Sequence, residues 1–173
     1  MISGKSTRRA AVLTRRAARP EQERTAAADR IAEALLPILA GARVAAYAAV
    51  GTEPVVPVDA STLLPVLLPD GDLDWAVGPV MPVGRGLREP TGPRLGLDAI
   101  GSCDVVLVPA LAVDRVGTRL GRGGGSYDRA LRRAIGLTIA VLYDDELVER
   151  LPAQPHDVAV RAVVTPSYGV VRF

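Results

Sequence analysis

The sequence predicts an α/β protein: a single three-layer domain over residues 1–173, with a mostly parallel central sheet covered by helices on both faces. Three observations carry this expectation. Short runs that are almost continuously apolar and rich in Val recur along the chain, the composition of strands buried on both faces. Segments of helical pattern separate them, so consecutive strands are joined by crossovers and lie parallel. At 173 residues and 49% apolar content the chain can bury one substantial core, and it contains no repeat and no linker.

Residues 5–19 and 21–39 read as helices. Pro20 opens the second, and Glu21 and Glu23 fall in its first turn, where carboxylates suit the helix dipole. The first, basic helix is expected to pack on the domain. Residues 42–50, ARVAAYAAV, read as a buried strand ended by Gly51. Residues 58–67 are expected to form a short helix interrupted by Pro65, residues 73–83 to contain a strand, and residues 84–97 to form a loop rich in Pro, Gly and Arg. The apolar run DVVLVPALAV at 104–113 reads as a buried strand centred on 104–108. Residues 126–135 read as a helix, 137–143 as a strand, 144–151 as a helix and 162–166 as a last core strand. Ligands of such sheets bind beyond the C-terminal strand ends. Glu53, the segment 119–128 and Asp144–Glu146 follow three of these ends and are expected to line one cleft if the strands are neighbours.

Composition bounds the function classes. No 18-residue apolar run exists and the basic start lacks a following apolar stretch, so no membrane partner and no signal peptide are expected. Cys103 is the one cysteine; it can form no internal disulfide, reads as a buried small side chain, and points to a reducing, cytoplasmic setting. One His and one Cys leave no zinc site of the usual ligand type. Seven of the 21 cations fall in residues 5–24, against two of the 19 acids. With six aromatics in all and no recognised binding module, this basic arm is not read as a nucleic-acid surface, and a monomer is expected. Lys5 is the only lysine beside twenty arginines, so either a compact ammonium is wanted there or the choice is incidental.

The richest stretch is RLGRGGGSYDR, residues 119–129, between a buried strand and a helix. Glycines let backbone N–H groups converge, and a helix N-terminus adds partial positive charge, which together suit an anion. Arg119 and Arg122 are expected at the rim, and Asp128 stands where a phosphate-bound Mg²⁺ would sit. Charge of both signs around the loop suggests a nucleoside triphosphate. The run is neither a Walker A loop, since it has no lysine, nor a dinucleotide fingerprint, since Ser126 stands where the third glycine belongs. From residue types alone, a tight turn whose arginines face solvent is the other reading. Glu53 is equally open as a solvated turn carboxylate, and His156 in its loop reads as structural.

Residues 108–131, VPALAVDRVGTRLGRGGGSYDRAL, resemble the signature vPglaFDxxGxRLGxGxGyYDxxL of the 5-formyltetrahydrofolate cyclo-ligase family. Further matches follow in the family's order along nearly the whole chain: Lys5 and Arg9, Glu53, Arg88-Glu89-Pro90, and LPxxxHD at 151–157. The resemblance implies ATP-dependent cyclisation of 5-formyltetrahydrofolate to 5,10-methenyltetrahydrofolate, with ADP and phosphate released. It implies that ATP is held by Lys5, Arg9, Arg119, Gly121, Arg122, Gly123, Gly124, Gly125, Ser126, Tyr127 and Asp128, with Mg²⁺ on Asp128 and Arg122 acting on the transferring phosphoryl group. Glu53 would receive the N–H donors of the pterin, with Arg88, Glu89 and Tyr127 also on the folate side. Four positions depart from the pattern: Val113 for a Phe, Gly124 where some members have lysine, Ser126 for one of two aromatics, and Glu146 for a Gln common in the late strand–helix turn. The competing reading is a divergent relative that binds nucleotide or folate with weak or different activity.

Overall fold

The computed structural model describes residues 4–84 and 86–173. Two helices, α1 (Lys5–Ala18) and α2 (Glu21–Leu39), open the chain and break at Pro20, which precedes the first helical residue of α2. α1 buries only Val12 and Arg16, as a basic helix with few apolar positions must. α2 buries Ala27, Ile31 and Leu35, a stripe at i, i+4 and i+8. Ile31 and Leu35 are fully covered, each worth on the order of 1.5–3 kcal/mol of transfer free energy. Among the described residues no helix is long and apolar enough to cross a membrane.

The strands that follow are β1 (Val44–Ala45), β2 (Leu64–Leu67), β3 (Leu73–Ala76), β4 (Val80–Gly84), β5 (Leu87–Pro90), β6 (Val105–Pro109), β7 (Ala112–Asp114) and β8 (Arg119–Leu120). Then come α3 (Ser126–Leu131), β9 (Leu137–Val141), β10 (Leu147–Val148), β11 (Ala162–Thr165) and β12 (Gly169–Arg172). The central sheet runs β1-β6-β9-β11-β12, parallel through β11 and antiparallel at β12. Because side chains alternate along a strand, the core divides into two layers. Val105, Leu107, Ile139, Val141, Ala162 and Val164 cluster with Ile31 and Leu35 of α2. Val106, Val108, Ala140, Leu142 and Val163 cluster instead with Leu73, Trp75, Ile100, Ala130 and Leu131. The mostly parallel sheet covered on both faces is therefore present. Its second face is shared by α3, a 3-10 segment at Leu97–Ser102 and the β2–β3 ribbon.

Several elements differ from the sequence expectation, each for a local reason. Only Val44–Ala45 of residues 42–50 pairs with β6; Ala46 N–H turns to the Leu63 carbonyl at 2.9 Å, and the chain leaves the sheet. Residues 58–67 form no helix. Asp59 caps a turn through Ser61 and Thr62, and β2 pairs antiparallel with β3 across a turn closed by Leu68 and Asp72. Pro65, costly inside a helix, is tolerated in this two-stranded ribbon. Gly78 splits residues 73–83 into β3 and β4, and residues 84–97 are not all loop, since β5 pairs back on β4. The run 104–113 breaks at Ala110 into β6 and β7, and the helix at 126–135 ends at Leu131. Residues 144–151 are a 3-10 turn, Asp144–Glu146, followed by β10 paired with β7. There Glu146 is drawn into the interior by Arg16 instead of facing solvent from a helix. The last strand, β12, forms because Gly169 adopts a φ of 63° and closes a hairpin on β11.

Candidate active site

The glycine loop begins where β8 ends. Arg119, expected at the rim, is buried with 4% of its side chain exposed. Its Nη1 donates to the Pro109 carbonyl and its Nη2 to Asp128 Oδ1, both at 3.2 Å. β8 pairs with β7, placing Arg119 opposite Val113 and turning its guanidinium under the loop. A Cβ on Gly121 would lie 2.6 Å from that guanidinium, so a side chain there would have to displace it. Gly125 at φ 72° turns the chain into α3, a left-handed conformation that favours glycine. α3 has six residues, too short for a strong macrodipole, so the cations around the loop supply most of its positive potential.

Helix α1 closes the loop from one side. Arg9 Nε donates to the Gly121 carbonyl at 2.8 Å, and Lys5 Nζ pairs with Asp157 Oδ2 at 2.6 Å. Burial alone would raise the Asp157 pKa; the Lys5 ammonium and the Gln154 N–H outweigh it and hold the carboxyl below its usual range. Farther along α1, Arg16 forms two 2.7 Å bonds to the Glu146 carboxylate and one of 2.6 Å to the Ala110 carbonyl. Both side chains of that pair are 1% exposed. Glu146 also accepts the Tyr143 N–H at 3.0 Å. Burial pushes its pKa up against the lowering effect of Arg16.

Glu53 lines the same cavity as the loop and is 10% exposed. Its Oε1 accepts from Arg122 Nε at 3.0 Å and its Oε2 from Val50 N–H at 2.9 Å. The residues expected to serve a pterin and a phosphate are thus in direct contact. Tyr47, which no sequence motif marked, backs this wall and donates its hydroxyl to the Pro54 carbonyl at 2.6 Å. The Tyr127 hydroxyl is buried and has no hydrogen-bond partner among the described residues. Burial, with the Glu53 charge adding to it, raises the Tyr127 pKa well above its ordinary value, so the phenol stays protonated. Arg88 and Glu89 come from β5, and Glu89 pins that hairpin to β2 by accepting the Leu67 N–H at 3.0 Å.

One cavity of about 420 Å³ is lined by every residue that the family resemblance implied for ATP or folate. Gly123, Gly124, Ser126 and Tyr127 are among them, and Gln154, His156 and Asp157 of the late loop line it too. Asp144–Glu146 do not join it: Glu146 is committed to Arg16, and Asp144 accepts from the Ser167 N–H and hydroxyl. Among the described residues no group of three or more His, Cys, Asp or Glu could cage a metal ion. Asp128 alone stands on the loop side, which fits a hard cation that arrives with phosphates and keeps most of its waters.

The model of the 5-formyltetrahydrofolate cyclo-ligase family matches residues 1–166. The chain belongs to this family. It is 42% identical to 5-formyltetrahydrofolate cyclo-ligase of Mycolicibacterium smegmatis, an alignment that covers 96% of each chain. Among solved structures it resembles Aquifex aeolicus 5,10-methenyltetrahydrofolate synthetase, with a TM-score of 0.79 at 29% identity over 97% of this chain and 92% of that one. The synthetase of Mycoplasma pneumoniae superposes with a TM-score of 0.76 over 95% of this chain and all of that one; at 19% identity this speaks for the fold alone. Within the cyclo-ligase frame, the Glu146 departure acquires a physical reading. The residue does not line the cavity; its charge is met by Arg16, 130 positions away.

Proposed function

We propose that the protein converts 5-formyltetrahydrofolate to 5,10-methenyltetrahydrofolate at the expense of ATP, releasing ADP and phosphate. The observation that carries this reading is the meeting of the Arg9-tied glycine loop and Glu53 in one cavity of a cyclo-ligase family member. The formamide oxygen is a poor leaving group. Transfer of the γ-phosphoryl group to it gives an imino phosphate; N10 then attacks the activated carbon and phosphate departs with that oxygen. Such a transfer needs alignment and charge compensation more than a protein nucleophile. Lys5 and Arg9 offer cations from α1, and Arg122 offers a half-exposed guanidinium from the loop. Arg119 acts one step back by orienting Asp128. Asp128 is the residue that would hold Mg²⁺, which supplies neutralisation of phosphate charge when bound. Glu53 accepts two parallel N–H donors of the pterin, and the protonated Tyr127 hydroxyl offers a donor at the same wall.

The test is the absorbance of methenyl-folate formed from 5-formyltetrahydrofolate, with and without ATP and Mg²⁺. Product that depends on both is expected. ATP binding with no product above background would favour a divergent binding protein. Glu53→Gln is expected to weaken folate binding by on the order of 1.5–3 kcal/mol, because an amide presents the pterin with a donor where an acceptor is needed. Nucleotide affinity should barely change. Equal folate affinity by titration calorimetry in variant and parent would remove Glu53 from the site.

A further inference from the structure

We propose that Arg122 couples the two substrates: in the ligand-free chain it occupies the carboxylate that the pterin needs, and nucleotide phosphates draw it away. The inference rests on the functional reading above and adds a coupling between its two substrates. A pterin edge presents two parallel donors to the two Glu53 oxygens; Oε2 can accept one beside the Val50 N–H at 2.9 Å, while the Arg122 guanidinium stands against Oε1 at 3.0 Å and offsets its charge. The two bonds differ in how easily they yield. Val50 belongs to the same short turn as Glu53, whose own N–H bonds the Val50 carbonyl at 3.2 Å. Arg122 reaches in from a different segment, 69 residues away, with half of its side chain exposed while that of Glu53 is 10% exposed. Its second contact, Nη2 to the Val50 carbonyl, is long at 3.5 Å.

Arg122 is therefore a removable occupant. It follows Gly121 and precedes Gly123, Gly124 and Gly125, and lines the same cavity as Lys5 and Arg9. The pair leaves half of the Arg122 side chain in solvent, and a polyphosphate offers this guanidinium several charged acceptors at once. When Arg122 turns to the phosphates, Glu53 regains a free oxygen and its full negative charge faces the folate side. Binding of each substrate then favours the other by the same factor, as linkage requires.

The test is the dissociation constant of 5-formyltetrahydrofolate with and without a non-hydrolysable ATP analogue plus Mg²⁺, for the parent and for Arg122→Ala. The parent is expected to bind the folate about 10-fold more tightly with the analogue present, within the usual range of such couplings. In Arg122→Ala the nucleotide-free affinity should rise toward the parent's nucleotide-bound value and the coupling should shrink toward unity. Arg122→Gln, which keeps the stem and loses the charge, should behave likewise, and melting curves check that both variants fold. Equal folate affinities with and without nucleotide in a parent that turns over would overturn the coupling and leave the activity standing. Retention of the coupling in both variants would also overturn it. A parent that binds no 5-formyltetrahydrofolate under either condition would sink the functional reading and this inference with it.

Discussion

Asp128→Asn and Arg122→Ala are each expected to lower the ATP-dependent rate by roughly 10²-fold or more, a transition-state loss of about 3 kcal/mol. Arg122 offsets phosphate charge directly and Asp128 does so through the Mg²⁺ it would hold, so both act on one assembly and the double variant should lose much less than the product of the two effects. The fold should respond differently. Arg122 is half exposed and bonded to Glu53, whereas Asp128 holds the buried Arg119 guanidinium. Arg122→Ala should leave the melting temperature nearly unchanged. Asp128→Asn keeps an acceptor for Arg119 but removes its counter-charge, and some stability goes with it. Because the two residues bond different partners, their stability effects should add while their rate effects do not. Rates and melting temperatures of the three variants and the parent decide the matter. An unchanged rate in Arg122→Ala would reduce that arginine to a surface group.

The largest stability effect is expected at Arg16 and Glu146. Replacing either alone strands a charge that is 1% exposed, which costs about 3–5 kcal/mol. For a chain of this length that corresponds to a fall in melting temperature of about 6–20 °C. Arg16→Met also leaves the Ala110 carbonyl without its donor, and Glu146→Leu leaves the Tyr143 N–H without its acceptor. The double variant Arg16→Met/Glu146→Leu should recover a large part of the loss, since it buries no charge, but not all of it, because those backbone groups stay unpaired. Thermal unfolding of the two single variants and the double tests this. Single variants within about 1 kcal/mol of the parent would show that the pair is not the clamp its burial indicates.

The site was legible to the extent that its residues are contiguous or follow strand ends. The glycine loop announces itself because strand, close-packed glycines and flanking charge occur within eleven residues. Glu53 was reachable because it follows the first strand, although only the family resemblance ascribed a partner to it. Spacing could not reveal Arg16–Glu146 or Glu53–Arg122, because each joins segments far apart in the chain. Arg119 was misplaced for a related reason: its direction depends on β8 pairing with β7, and a two-residue strand has no periodicity to read. Residues 58–67, which contain β2, read as a helix because a short apolar run carries little periodic signal and Pro65 reads as an interruption instead of an exclusion, whereas β3 falls within the strand expected at 73–83.

The ties of α1 also bear on when the site comes into existence during synthesis. Its partners Glu146 and Asp157 lie 130 and 152 residues downstream of Arg16 and Lys5. At roughly 5–20 residues per second, Lys5 is made some 8–30 s before Asp157. A 14-residue helix is marginal in water by itself, and this one presents only Val12 and Arg16 for burial, so little apolar surface is exposed while it waits. The nascent chain can build the glycine loop early, but the α1 wall of the cavity is completed only once the late loop has been translated. Cavity assembly is thereby deferred until Asp157 has been made.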